Sequence, residues 1–411
     1  MQDFARATPA AAPLAETGTE GGGKPQAASE KDRYKALFVT AGDFSHINAQ
    51  MLPALQSQCP NVDFETFNAT EFMRSQQGAM MLCGLGALQE YGLSTLSSKA
   101  KLRYRLFRAR SYFDRVGRML RRRFADAGFD FTVQTQSIFS AALPGVPNYV
   151  YTDHVARARL ADEDQEGTGH PSSVWLARER SIYDEADHVF TFGPKIRDFL
   201  LNDYGIAANK VSAIGAGASA RPDCPVDISL ARSARRNILF VGVDWERKGG
   251  PEMIEAFKEL RRHLPDATLT IIGCSPDVQV DGVEVLGRLP LSELPDYFHK
   301  ASCFCMPSRV EPFGIVFLEA MQFGLPVVST TAGDIGAIVQ DGRTGRLCAP
   351  RDAAGLAQAM RDVLEVPETC NQMGLAGLER GRQFTWEAVA RRIASHAPGA
   401  FGRPAAEELQ W

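Results

Sequence analysis

Short apolar runs of β-strand type alternate with helical stretches along most of this chain, and they fall into two series. The first series comprises KALFVTAGDF (35–44), FTVQT (131–135), NYVYT (148–152), HVFTFG (188–193) and KVSAIGAG (210–217). The second comprises NILFVGV (237–243), ATLTIIG (267–273), VEVLG (283–287), CFCMPS (303–308) and PVVSTT (326–331). Because parallel neighbours need a crossover that is usually a helix, this alternation predicts an α/β fold with two doubly wound parallel sheets.

The two series are separated at residues 217–237, where Pro, Ser, Arg and Asp interrupt the pattern. We therefore expect a first domain at 34–217 and a second at 218–383. Residues 1–33 are rich in Ala, Pro, Gly and Thr and bury too little apolar surface to offset the entropy of ordering, which predicts a disordered tail. Ligands of open parallel sheets bind beyond the carboxyl ends of the strands, so two facing sheets would enclose a cleft.

The composition argues against several classes of protein. The 411 residues include 45 Lys and Arg against 49 Asp and Glu, a balance that favours neither nucleic-acid binding nor an acidic tail. Eight cysteines lie scattered in apolar segments, without the close pairs of a zinc site or a disulfide scaffold, and we interpret them as reduced core thiols. The amino-terminal residues do not form a secretory signal, and no apolar run reaches the roughly 18 residues of a membrane span. We expect a cytoplasmic protein with at most peripheral membrane contact.

The sequence EPFGIVFLE places two carboxylates, Glu311 and Glu319, after a strand that ends in Pro-Ser. One explanation for two carboxylates at this spacing is the exposed face of a helix, where they would form surface ion pairs. However, Pro312 and Gly314 keep Glu311 out of the helix, which we predict to run from Ile315 to Gly324. The free N–H groups at its start, near Phe313, Gly314 and Ile315, suit phosphate or sugar oxygens, and the carboxylates would accept from hydroxyls.

A second motif, FVGVDWERKGGPEMIEAF (240–257), places basic side chains between a strand and a helix. Arg247 and Lys248 follow the strand, and Pro251 suits the first turn of the next helix. The simpler interpretation is that Arg247 and Lys248 are ordinary solvated charges. Their position at the carboxyl end of a strand and before a helix start favours diphosphate binding instead.

Three further features are less specific. The first apolar run stops at Gly42-Asp43, and such a loop often holds a ligand. The run NYVYT ends in Thr152-Asp153-His154, although a lone histidine at a strand end is more often structural. The segment AGDIGAIVQDGRTGRLCAP (332–350) is predicted to form a loop, a short helix and a turn, in which glycines allow backbone to approach a ligand.

A basic segment occupies residues 99–123, which hold eleven basic residues and a single acid, Asp114. Leu102, Leu106, Phe113 and Val116 recur there at helical spacing. The segment could be a solvated basic face over a core. The alternative is attraction to anionic lipid headgroups or to an anionic acceptor such as a lipid diphosphate.

Together and in this order, the motifs resemble the retaining glycosyltransferases of family 4, most closely over residues 237–350. The resemblance implies that Glu311 contacts the donor sugar, that Glu319 binds the ribose hydroxyls, and that Lys248 binds the donor phosphates. The family's companion arginine is absent, because Val243 stands in its place. Arg247 is our candidate for the missing charge.

The remaining motifs fit the same family with departures. His154 resembles the donor-facing histidine at the end of an amino-terminal domain strand, and Gly42-Asp43 resembles the glycine-containing loop after the first strand. The family's adjacent glycines are Gly333-Asp334 in this chain, and Gly336-Ala337 replace a glutamate that often follows. These departures leave the donor open.

The resemblance also implies an architecture and a reaction. The fold would be GT-B, two facing Rossmann-like domains, with a last helix at 384–411 returning to the first domain. The reaction would move a sugar from a nucleoside diphosphate sugar of UDP or GDP type to a hydroxyl of a glycan or lipid-linked acceptor, with retained configuration and no bound cofactor or metal. We expect a role in polysaccharide or glycolipid synthesis at the inner face of a membrane, and no nucleic-acid partner.

Two other classes remain open at this stage. The same fold serves sugar phosphorylases and nucleotide-sugar epimerases, since a fold alone does not determine chemistry. A noncatalytic sugar-nucleotide or polysaccharide binder is the other class, and the residues Val243 and Gly336 keep it open. Release of free nucleoside diphosphate after addition of acceptor would separate these alternatives.

Overall fold

The first sheet contains six parallel strands in the order β2-β1-β3-β4-β5-β6. The strands are β1 (Tyr34–Thr40), β2 (Val62–Asn68), β3 (Phe131–Thr135), β4 (Asn148–Thr152), β5 (His188–Thr191) and β6 (Val211–Ala213). All five predicted runs form strands, and β3 and β4 have the predicted bounds. Strand β2 was not predicted because it is an edge strand that buries only Val62, so Asp63 and Glu65 interrupt its apolar run.

The second sheet repeats this plan in the order β12-β11-β10-β7-β8-β9, again with parallel pairing. Its strands are β7 (Asn237–Val241), β8 (Thr268–Ile272), β9 (Val283–Gly287), β10 (Cys303–Cys305), β11 (Val327–Thr330) and β12 (Gly345–Cys348). The predicted fold class is confirmed. The prediction for 332–350 lacked the edge strand β12, which pairs only with β11.

Helices cover both sheets. They are α1 (Ile47–Gln58), α2 (Ala69–Ser75), α3 (Gln77–Tyr91), α4 (Lys99–Leu106), α5 (Arg110–Phe124), α6 (Ala156–Leu160), α7 (Ser173–Glu185), α8 (Pro194–Asn202), α9 (Leu230–Ser233), α10 (Gly250–His263), α11 (Leu294–Lys300), α12 (Ile315–Gln322), α13 (Ile335–Ile338), α14 (Ala353–Leu364), α15 (Pro367–Gly381) and α16 (Trp386–Ala394). The computed structural model describes residues 33–42, 47–160, 171–397 and 409–411. Tyr34–Trp411 is one compact unit that contains both sheets.

The last helix, α16, packs against α1 beside the first sheet. Arg392 donates a hydrogen bond of 3.0 Å to the Ile214 carbonyl, and the hydroxyl of Tyr149 on β4 donates one of 2.8 Å to the His396 carbonyl. Gly217 allows the close approach, because a Cβ there would lie 2.5 Å from the Trp386 nitrogen. The chain thus crosses back to the first sheet after completing the second.

All eight cysteines are free, but Cys224 is exposed, so the interpretation of every thiol as a core residue is wrong for that position. It lies in the irregular segment between β6 and β7, where the chain passes from one sheet to the other. Asp43 and the predicted tail, apart from Arg33, lie outside the described residues.

Candidate functional site

The loop between β10 and α12, at residues 306–314, carries Glu311 and is held between two glycines. A Cβ on Gly249 would lie 1.9 Å from the Pro307 carbonyl oxygen, and a Cβ on Gly333 would lie 1.5 Å from the Glu311 carbonyl oxygen. Both glycines have positive φ, 73° and 55°. Glycine is needed at each position because any side chain would displace the loop.

Glu311 forms a buried ion pair with Lys248. The Lys248 ammonium donates to Glu311 Oε2, and the Ser308 hydroxyl donates to the same oxygen at 3.3 Å. The side chains are only 12% and 8% exposed. Burial lowers the pKa of Lys248 and outweighs the opposing effect of the Glu311 carboxylate. The ammonium is therefore poorly hydrated and would gain from a further negative charge.

Arg247 lies on the flank of the same loop. Its guanidinium donates to the Val310 carbonyl at 3.0 Å and is 3.4 Å from the Asp244 carboxylate. Val243, where the resemblance implies an arginine, is 63% exposed. The second motif therefore brings one buried and one partly exposed cation to the loop that carries Glu311.

The helix that follows, α12, begins at Ile315 as predicted and ends at Gln322, before the predicted end at Gly324. Gly314 precedes it with a φ of 98°. The Phe313 ring is buried and contacts the Phe192 ring with centroids 5.5 Å apart, so this side chain belongs to the packing between the two halves. Glu319 is partly exposed and accepts a hydrogen bond of 3.1 Å from the Ala220 nitrogen.

The end of β4 carries Asp153 and His154, both partly buried. The Thr152 hydroxyl donates to the His154 carbonyl at 2.8 Å and fixes the turn. Burial is the main cause that raises the pKa of Asp153 to about 6, and the negative charge of Glu311 acts in the same direction. The ring contact between Phe313 and Phe192, which directly follows β5, places the loop after β10 against the carboxyl end of the first sheet, where the neighbouring β4 also ends.

Gly42 lies at the carboxyl end of β1 with a φ of 81°. Its nitrogen donates to Asn68 at 3.1 Å, and its carbonyl accepts from Asn48 at 2.7 Å. These bonds join it to the ends of β2 and α1, at the same edge of the first sheet as His154. Its predicted companion Asp43 lies outside the described residues.

Glu179, which sequence reasoning missed, lies beneath the His154 turn. Its carboxylate accepts from the Ala156 nitrogen at 2.9 and 3.0 Å, from Ser137 and Tyr183 at 3.2 Å each, and from Tyr204. Burial raises its pKa to about 7. No motif marks this glutamate, because its partners come from elements distant in the sequence.

A pocket of about 430 Å³ opens beside His154. Its lining includes Asp153, Glu179 and Trp175, together with Tyr104 and Arg108. The last two residues come from the basic segment, which therefore reaches the pocket next to the end of β4. The structure thus connects two features that the sequence analysis treated separately.

Asp334, one of the departures from the family pattern, links the two halves. Its Oδ1 accepts from the Lys195 nitrogen at 2.9 Å, in the first turn of α8. A Cβ on Gly193 would lie 2.0 Å from Asp334 Oδ2, so glycine is needed at the point of contact. Burial raises the pKa of Asp334 to about 6.

Among the described residues, one group of metal-ligating side chains comes together: Asp223, Cys224 and His299. His299 Nε2 lies 3.3 Å from the Cys224 sulfur and 3.4 Å from an Asp223 carboxylate oxygen. The group belongs to the segment between the sheets and to α11, not to the loops around Glu311 and His154. No sequence motif predicts this group, because His299 is far from Asp223 and Cys224 along the chain.

Comparison with known proteins shows the fold and relates part of the second half to glycosyltransferases. Residues 235–366 match the family model described as "Glycosyl transferases group 1". The sucrose-phosphate synthase of Thermosynechococcus elongatus has a TM-score of 0.63, covering 88% of this chain and 98% of its own at 19% identity. The fold is that of the GT-B glycosyltransferases. Anabaena HepE, solved with UDP and glucose, has a TM-score of 0.59, 15% identity, and coverage of 88% of this chain and 99% of its own.

Among curated proteins, the glycogen synthase of Mycobacterium tuberculosis is 33% identical over 237 residues, 55% of this chain. The chain spans 56% of the length of that relative. The glycosyltransferase relationship therefore rests on part of each chain. In the part of the chain that the structure describes, no helix has the length and apolar character needed to cross a membrane.

Proposed function

We propose that this protein is a retaining glycosyltransferase that transfers a sugar from a nucleoside diphosphate sugar to an acceptor hydroxyl, in polysaccharide or glycolipid synthesis. The observation that carries the proposal is the buried Lys248–Glu311 pair, on a loop that packs through Phe313 against the carboxyl end of the first sheet. The family model covers the loops that build this pair. We also propose the domain division 34–217, 218–383 and 384–411, and a cytoplasmic location.

The main electrostatic task is to stabilise the leaving diphosphate. Lys248, supported by Arg247 and the N–H groups at Phe313, Gly314 and Ile315, provides positive potential without a resident metal. The poorly hydrated Lys248 gains more from a diphosphate than a solvated lysine would, because its desolvation has already occurred. The paired Glu311 is then released to accept from the sugar hydroxyls, while Glu319 binds the ribose.

The other wall of the cleft positions the reacting sugar. His154 and Gly42 lie along the carboxyl edge of the first sheet, and in this proposal they contact the donor together with Asp43. The donor phosphate accepts the proton of the acceptor hydroxyl, so we assign no side-chain nucleophile or general base. This route retains the anomeric configuration, and nuclear magnetic resonance of the initial product anomer tests it.

The donor is a UDP- or GDP-sugar in this proposal. HepE, which shares the fold, was solved with UDP and glucose, and this supports the UDP form. Thermal stabilisation by UDP-, GDP- and ADP-sugars tests the choice, because a ligand at about 100 times its Kd adds roughly 2.7 kcal/mol to the free energy of unfolding. Stabilisation by none of the three would contradict the proposal. Formation of a sugar 1-phosphate from a glycan and inorganic phosphate, without release of nucleoside diphosphate, would favour a phosphorylase.

A further inference from the structure

Helix α3 and the turn after it expose five large apolar side chains, which we call the apolar patch. Their exposed fractions are 69% for Met81, 48% for Leu82, 59% for Leu85, 81% for Leu93 and 58% for Leu96. Single exposed leucines are common on proteins, but a concentration within 16 residues of sequence marks an interaction surface.

The geometry of α3 explains why this face is turned outward. Cys83 and Ala87 are buried, and a rotation of about 100° per residue places Met81, Leu82 and Leu85 on the opposite side of the helix. The only charged residue in α3 is Glu90, which accepts from the Ser172 hydroxyl and from the Arg110 nitrogen. The outward face therefore has no charged residue to make it favourable in water.

The basic segment packs against α3 and against the turn that carries Leu93 and Leu96. Helices α4 and α5 both contact α3. Arg105 donates to the hydroxyls of Ser94 at 2.8 Å and Thr95 at 3.2 Å, within the turn that carries Leu93 and Leu96. Lys99 and Arg103, on the same short helix as Arg105, are exposed. Apolar and cationic side chains thus share one region of the surface.

We propose that the apolar patch docks onto an anionic lipid bilayer, with its apolar side chains in the interface and the basic segment on the headgroup phosphates. This combination suits a bilayer because one signal alone gives weak, reversible binding, whereas apolar burial plus a polybasic cluster gives stable attachment. Self-association through the same face would bring the exposed Lys99 and Arg103 of two copies close together, and their repulsion disfavours it.

Docking through this face orients the pocket beside His154. The hydroxyl of Tyr91, at the end of α3, donates to the Arg108 carbonyl at 3.0 Å, and the side chains of Arg108 and Tyr104 line that pocket. A lipid-linked acceptor with an anionic linkage would reach the pocket from the membrane past these two residues. This second step rests on the proposed function, whereas attachment itself does not.

Vesicle flotation tests the attachment. The full chain is mixed with phosphatidylcholine vesicles, with and without about 30% phosphatidylglycerol, at low and high salt. We expect binding to anionic vesicles that weakens in salt. The variant Met81→Gln/Leu85→Gln/Leu93→Gln/Leu96→Gln should lose at least tenfold in partitioning. The matched control Leu291→Gln/Val366→Gln/Leu375→Gln removes exposed apolar side chains elsewhere and should bind as the unaltered protein does.

A charge variant and a measurement of mass complete the test. Lys99→Gln/Arg103→Gln should weaken binding to anionic vesicles and reduce its salt dependence. Equal binding of the unaltered protein to neutral and anionic vesicles, or unchanged binding by the patch variant, would overturn the proposal. So would a dimer in solution that the patch variant converts to a monomer. Failure of the proposed glycosyl transfer is a separate outcome, in which no nucleotide sugar stabilises the unaltered protein. Where a nucleotide sugar does stabilise the unaltered protein, it should stabilise the patch variant equally.

Discussion

The two walls of the cleft hold their buried charges in different ways. On the wall built by the second sheet, cations and carboxylates form pairs: Lys248 with Glu311, and Arg309 with Glu252 at 2.8 Å. On the wall built by the first sheet, Glu179 is surrounded by hydroxyls and a backbone N–H, and the pKa values of Asp153 and Glu179 rise to about 6 and 7. The second sheet thus presents paired charges, and the first presents carboxyls whose pKa values are raised by burial.

This difference suits two separate roles for the two walls. A diphosphate needs positive potential that does not change with pH, and paired arginine and lysine side chains provide it. A buried carboxyl with a raised pKa responds to small changes in pH and in neighbouring charge. Substitutions that remove one element from either wall should therefore differ in size and in pH dependence.

The largest effect should follow Lys248→Gln, which removes the buried cation and leaves Glu311 without its partner. We expect a loss of about 10²–10³ in kcat, the usual cost of removing a preorganised electrostatic contact. Lys258→Gln is the matched control, since Lys258 is exposed on α10. Steady-state assays of nucleoside diphosphate release measure both. Equal activity of the two variants would remove Lys248 from the donor site.

Next in size is the stability cost of Gly333→Ala. The added Cβ would lie 1.5 Å from the Glu311 carbonyl oxygen, and the backbone has a positive φ, so we expect a loss of about 2–4 kcal/mol in the free energy of unfolding. Gly336→Ala is the control, because its Cβ would meet only a Leu347 methyl at 4.0 Å, within helix α13. Urea denaturation measures the difference, and a similar cost for both would show that loop 306–314 adapts.

On the first wall, Glu179→Gln should change how stability depends on pH. The raised pKa means that the folded protein disfavours ionised Glu179, a cost absent below the usual pKa of about 4.5 and complete above about 7. The unaltered protein should therefore lose stability relative to the variant, by about 1–3 kcal/mol, as pH rises from about 4.5 to 7. Melting temperatures across this range measure it, and parallel curves would contradict the raised pKa.

The smallest effect concerns the arginine that is absent at Val243. If Arg247 supplies that charge, Arg247→Gln should weaken donor binding about tenfold, the scale of one charged hydrogen bond. Adding Val243→Arg to that variant should restore it, because Val243 is exposed and has room for a longer side chain. Isothermal titration with the responding nucleotide measures both steps. Unchanged affinity in Arg247→Gln would assign the role elsewhere.

The parts of this structure that the sequence predicts are those set by neighbours along the chain. Strands β3, β4 and β9 have the predicted bounds because each is a short run rich in aromatic or β-branched residues that ends in a threonine or a glycine. Strands β2 and β12 were not predicted, because an edge strand pairs on one side only and need not be apolar throughout. The start of α12 at Ile315 followed from Gly314 directly before it.

The same distinction separates the site residues that the sequence predicts from those that it does not. Lys248 and Glu311 were predictable because each belongs to a local strand-loop-helix motif, and the structure brings them into contact. Glu179 was not, since its carboxylate is bound by groups between 23 and 42 residues away, apart from Tyr183 on its own helix. Contacts of this kind depend on how helices pack, which periodicity does not reveal.

The bond from Asp334 to the first turn of α8 has a consequence for motion. Any opening of the cleft that separates these groups would return the Asp334 carboxyl to water and lower its pKa from about 6 toward the ordinary 3.8. Opening would then release a proton between these values, and acid would favour closure. Opening and closing of this region should therefore be coupled to loss and uptake of a proton at Asp334.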